Sequence, residues 1–126
     1  MTEKFRIPYP EYASERRRWN KDYGLNAYYS GKHWSVRKKD AEYWHWLTVL
    51  NMNQQNVRRT PLKRPVIITF RWNDRLDCSN HAIIAKMIED AMKGRVIEDD
   101  SRRFVKGVCH YFHDEDYIGI EVREVE

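Results

Sequence analysis

Long apolar runs are missing from this sequence: no stretch approaches the roughly 18 residues that a membrane-crossing helix needs. The opening residues, MTEKFRIPYP, hold no apolar core of a secretory leader. Cysteine is scarce, with only Cys78 and Cys109, too few for a disulfide-stapled domain. These absences lead to the expectation of a soluble cytoplasmic protein with reduced thiols and no membrane partner. Glycine is sparse too. Its five copies are scattered and none builds the G-x-x-x-x-G-K loop that cradles phosphates, so no nucleotide cofactor is expected. The pairs Cys78/His81 and Cys109/His110 lack a zinc-finger spacing, and no Ser/His/Asp pattern stands out. No repeat, low-complexity tract or linker divides the chain, so residues 1–126 form one domain large enough for a sizeable core.

Charge is what the chain has in quantity, at 33% of residues, with a net +4. It is unevenly spread. Residues 1–40 carry ten Lys/Arg against five Asp/Glu, while residues 95–126 carry five against nine. A basic front suits a polyanion such as nucleic acid. A solvated charged surface accounts for the same numbers.

Local patterns give an element order. Lys4–Ile7 reads as a short strand ended by Pro8 and Pro10. Tyr9 to Trp34 reads as a long irregular segment with Arg16-Arg17-Arg18 and many aromatics. Ser35 is placed to cap a helix reaching Asn51, with Trp44, Leu47 and Leu50 inward. A basic loop spans Asn53–Pro65. Val66–Trp72, β-branched and aromatic, is the clearest strand. Asn80 is placed to cap a second helix, His81 to Lys93, closed by Gly94. Two late strands, about Phe104–Phe112 and Tyr117–Val125, flank a turn at His113–Asp116 that reads as a hairpin; Ile118, Ile120 and Val122 give the second a buried face. The expected fold is α+β: a small mixed sheet with two helices packed on it. So few strands leave room for dimerisation through sheet or helix.

Asp77 follows the strongest strand, Lys86 lies on the next helix, and Asp90 is one turn further on the same face. Asp99 and Asp100 come where the chain turns back toward the sheet. Converging carboxylates of this kind suit Mg²⁺ or Mn²⁺. Taken alone, the spacing equally fits a turn aspartate, an exposed Lys86–Asp90 ion pair and a solvated acidic loop.

The stretch from Asp77-Cys-Ser-Asn80 through Lys86, Asp90-Ala91-Met92 and Gly94 to Asp99-Asp100 resembles the signature of RusA-type Holliday-junction resolvases. That signature runs strand, Asp, Asn, Lys, Asp-Ala-Leu, a hydrophobic turn, Asp-Asp. Leu25 to Lys32 and Pro61 to Arg71 are similar to further parts of the family, but only residues 77–100 are specific. Two departures stand out. Ser79 occupies the place of a second Asp, and about three extra residues separate Asn80 from Lys86.

The resemblance implies a RusA-like homodimer with Asp77, Lys86 and Asp100 as catalytic residues. It implies Mg²⁺, or Mn²⁺, on Asp77 and Asp100, with Asp90 or Asp99 making up the count. The implied activity is an endodeoxyribonuclease that resolves four-way junctions by paired nicks with 5′-phosphate products, in recombination or repair at the nucleoid, often from phage genes. Phosphate contacts are expected from Arg16, Arg17, Arg18, Lys32, Lys38, Lys39, Arg58, Arg59, Arg75 and Asn80. The interleaved Tyr and Trp could stack on unpaired bases. The rival is a junction- or nucleic-acid-binding module with weak or no catalysis, which Ser79 would explain.

Overall fold

The computed structural model describes residues 1–125. The order is β1 (Thr2–Pro8), α1 (Ala13–Tyr23), α2 (Leu25–Tyr29), α3 (Trp34–Gln54), β2 (Val66–Trp72), a 3₁₀ turn (Cys78–His81), α4 (Ala82–Met92), β3 (Val105–Phe112) and β4 (Tyr117–Glu124). The α+β class and the mixed sheet agree with the sequence reading. No helix among the described residues is long and apolar enough to cross a membrane.

The four strands run in the order β1-β4-β2-β3. β4 is antiparallel to both β1 and β2, whereas β2 and β3 are parallel. A parallel pair needs a crossover, and α4 supplies it, making β2–α4–β3 a βαβ unit. The late strands are therefore not a hairpin. Residues 113–116 pass over the end of β2, where His113 N–H donates to Trp72 O at 3.0 Å and Asn73 Nδ2 donates to Glu115 O at 3.0 Å.

One face of the sheet carries the core. Phe5 and Ile7 pair with Ile120 and Ile118, and Ile68 and Phe70 with Val122 and Ile120. All are buried, together with Val66 and Trp72. Each such side chain contributes about 1.5–3 kcal/mol relative to leaving it in water. Helix α4 buries Ile84, Ala85, Ile88, Ala91 and Met92, and α3 packs between it and β1. The helical cover stops short of β3, where Val108 and Phe112 on the core face remain exposed; Tyr111 is exposed on the opposite face beside Arg71.

Three local expectations need correction. The segment from Tyr9 to Trp34 is not a loop but holds α1 and α2, and Trp19 is the one residue of α1 that is buried. It meets Tyr9, Tyr23 and Trp44 edge-on with ring centroids 5.3, 5.9 and 5.8 Å away. Helix α3 is capped by His33, whose Nδ1 accepts from Ser35 N–H at 3.2 Å, and it runs on to Gln54. Its buried positions are Asp40, Trp44, Thr48, Asn51 and Met52, with Leu47 and Leu50 only half-buried. Asn80 lies inside the 3₁₀ turn rather than at a helix cap, and α4 starts at Ala82. Gly94 does end the helical region with φ +77, a conformation glycine adopts without strain.

Candidate functional site

The connection from β2 to α4 leaves the carboxyl end of a parallel strand, where open α/β sheets commonly place ligands. It is pinned by a buried polar network. Asp74 accepts from Tyr9 OH at 2.7 Å and from Leu76 N–H at 2.9 Å. His81 Nε2 lies 2.8 and 2.9 Å from its two oxygens, and His81 Nδ1 lies 3.0 Å from Cys78 O. Tyr9 OH accepts in turn from Asn73 N–H at 2.8 Å. The imidazole is fully buried and stacks on Trp72 at 4.2 Å, while Trp72 Nε1 donates to His110 Nδ1 at 3.0 Å. Burial lifts the Tyr9 hydroxyl far above its ordinary range and holds His110 below its own. The loop carrying Arg75 and Asp77 is thereby fixed at both ends.

The second part of the site lies on α4 and the loop after it. Lys86 Nζ bonds Asp90 Oδ1 at 2.9 Å and also bonds Asp100 Oδ2. Lys93 Nζ bonds the same two oxygens at 3.1 and 3.0 Å. Two ammonium groups thus alternate with two carboxylates. The i,i+4 geometry of α4 presents Lys86 and Asp90 on one face, and the return loop brings Asp100 onto it. The hydrogen bond from Lys86 holds Asp100 well below the usual carboxylate range, and the bond to Asp100 raises Lys86. Glu89, beside them, is buried, and desolvation pushes its carboxyl up.

These shifts have opposite consequences for stability. A depressed carboxyl such as Asp100 contributes stability above its unfolded value, near 4, which fades as pH falls through its folded value. A raised carboxyl such as Glu89 opposes folding when charged and is relieved on protonation. Asp100→Asn should therefore lower the urea midpoint at pH 7 and flatten its decline below pH 4. Parallel pH curves for variant and parent would refute this.

The expected site residues divide clearly. Lys86, Asp90 and Asp100 come together, and Lys93 joins them. Asp77 is exposed, and its carbonyl accepts from Asn80 N–H at 3.0 Å. The side chains of Asp77, Asp99 and Asn80 make no hydrogen bond or ion pair among the described residues. No group of three or more His, Cys, Asp or Glu among those residues is placed to hold a metal ion.

The basic residues differ as much. Arg17, Arg18, Lys38, Lys39 and Arg75 are exposed. Arg16 is tied to Asp116 at 2.5 Å and to Pro10 O at 2.7 Å. Arg58 donates to Thr60 O at 2.5 Å, and Arg59 to Asn53 Oδ1 at 3.2 Å. Lys32 is enclosed: it bonds Asp40 at 2.5 Å and Asp22 O at 2.7 Å, over the rings of Tyr23 and Tyr28. Its role is to neutralise a buried aspartate. Asp74, Glu89 and Lys93 were not singled out from sequence, and His81 was weighed only as a zinc ligand beside Cys78. Lys93 was within reach, since it follows Asp90 by three residues on the helix that Lys86 marks. Among known proteins, the chain matches no family model and no curated sequence.

Proposed function

We propose that the protein is a structure-specific endodeoxyribonuclease of the RusA type that resolves four-way DNA junctions. The observation that carries this reading is Lys86 Nζ bonded to both Asp90 and Asp100. A purely local pair would end at Asp90. The lysine and late aspartate of the resembled signature, 14 residues apart, instead share a contact.

The donor types suit a divalent metal, but the described residues do not gather them into a ligand set, and Asp90 and Asp100 are bonded by Lys86 and Lys93, which a metal would have to displace. Asp77, Asp90, Asp99 and Asp100 offer hard oxygens suited to Mg²⁺ or Mn²⁺, and Asp77 is free of side-chain partners among the described residues. Asp77 and Asp100 would hold it, with Asp90 or Asp99 completing the set. A bound divalent ion supplies charge stabilisation at the phosphate and a more acidic water. The chain's own groups do the rest. Lys86 places an ammonium where negative charge grows on the phosphate under attack. Exposed Arg17, Arg18, Arg75, Lys38 and Lys39 neutralise the backbone phosphates of the arms. Paired nicks across a symmetric junction call for two sites related by a two-fold axis, hence a homodimer. Light scattering that finds only the 15.4 kDa monomer, with and without DNA, would contradict it.

The deciding experiment is cleavage of a synthetic four-way junction with and without Mg²⁺. Paired nicks bearing 5′-phosphates are expected only with the metal. Asp77→Asn should abolish cutting and leave binding equal or tighter, because losing a carboxylate also removes repulsion of the phosphates. Metal-independent binding without cutting by the parent would favour the binding module.

A further inference from the structure

Beside the β2–α4 loop lies a cleft of about 390 Å³ between that loop and α1. Its size falls within the range of small-ligand sites. The edges of the largely buried Tyr9 and Trp19 give the lining its apolar part, with the Arg16 guanidinium over the Tyr9 ring, and Asp74 in the same lining already accepts from Tyr9 and Leu76 and lies against His81. Asn20 and Asn73 line the walls. Asn20 Oδ1 accepts from Arg75 N–H at 3.3 Å, and Asn73 Nδ2 donates to Glu115 O. That leaves an amide donor on Asn20 and an amide acceptor on Asn73 with no partner among the described residues. Arg17 and Arg75 line the same cleft, and their guanidinium groups make no ion pair or hydrogen bond among those residues.

A partly apolar lining, a spare donor, a spare acceptor and two free guanidinium groups match the parts of one nucleotide. The base has a flat apolar face and a hydrogen-bonding edge, and the phosphate is an anion suited to arginine. We propose that this cleft receives one unpaired nucleotide of a DNA strand at a branch point, its base against Tyr9 and Trp19 and its phosphate on Arg17 and Arg75. The proposal rests on the junction-binding reading above and adds to it the means of telling a branch from a duplex. A fully paired duplex offers no base that can enter without unstacking, whereas a branch point does so at lower cost.

The test is done in EDTA, so that binding is read without cleavage. The wild-type protein is titrated with a four-way junction, with the same junction carrying abasic sugars at the branch positions, and with a duplex. Ala13→Trp, at an exposed position on the rim of the cleft, is titrated alongside. The wild type should bind the intact junction about 10- to 100-fold more tightly than the abasic one, the range set by stacking a single base. Ala13→Trp should bind both junctions equally and about as weakly as the wild type binds the abasic one. Its duplex affinity should stay unchanged. Equal wild-type affinity for intact and abasic junctions overturns the cleft assignment and leaves the nuclease reading standing. Failure to bind any of the three DNAs overturns both. Binding of free deoxynucleoside monophosphates, with no preference for the intact junction, makes the cleft a small-molecule site and also overturns the proposal.

Discussion

Lys86→Ala should slow single-turnover cleavage of a four-way junction by roughly 10²–10³-fold while leaving folding and junction affinity close to the parent's. The magnitude is that of removing one preorganised donor from a charge that grows only in the transition state. Two features make the variant informative. Lys93 bonds the same oxygens of Asp90 and Asp100, so the return loop keeps an anchor when Lys86 is truncated. The proposed phosphate contacts lie on other elements, so binding should survive. Lys86→Arg should recover little, because the planar guanidinium is larger and cannot sit as a point charge between two carboxylates. If Lys86 were only a surface ion pair, its loss would cost about 0.3–0.5 kcal/mol of stability and change no chemistry. Rapid-quench rates on pre-bound junction separate the cases, and an unchanged rate would remove the lysine from the mechanism.

The second large effect concerns folding. His81→Ala should destabilise the protein by about 3–5 kcal/mol, the usual result of leaving one member of a buried polar pair without its partner. Asp74 would keep Tyr9 OH and Leu76 N–H but lose both contacts to the imidazole. Trp72 would lose a ring stacked at 4.2 Å, leaving a cavity. With total stabilities of about 5–15 kcal/mol, that is a large fraction, and the melting temperature should fall by roughly 10–20 °C. A drop of only a few degrees would show that the network is dispensable.

How much of this was legible depends on which residues carry each feature. β2 could be read because VIITFRW is buried on nearly every residue, the mark of a central strand. β4 could be read from the alternation of Ile118, Ile120 and Val122. Their pairing could not. A short polar turn at residues 113–116 looks the same whether it closes a hairpin or crosses the end of a third strand, and the choice is made by β2, which takes β3 on one edge and β4 on the other. Helix α1 was hidden because Arg16, Arg17 and Arg18 precede a single inward residue, Trp19, so no apolar period develops. Lys32 looked like a surface cation because its partner, Asp40, is buried by helices whose packing local sequence does not reveal. In the site, Lys86 and Asp90 follow from helix geometry, but the contact with Asp100 came only from the resemblance. The Asp74–His81 pair has no periodic signature, since Asp74 lies in the loop before the 3₁₀ turn and His81 is the last residue of that turn.

The strand order has a bearing on how the molecule is made. β4, which ends at Glu124, lies between β1 and β2 and joins Thr2 to Arg123 at nearly opposite ends of the chain. During synthesis β2, α4 and β3 can assemble as a unit while β1 waits without any strand to pair with. The sheet closes only when the last strand emerges, and contacts of such long sequence separation slow the search for the native state. Until then β1 has only α3 to pack on and no strand beside it, so a nascent or shortened chain ending before Tyr117 would leave its backbone edge and part of Phe5 and Ile7 open to chaperones and proteases.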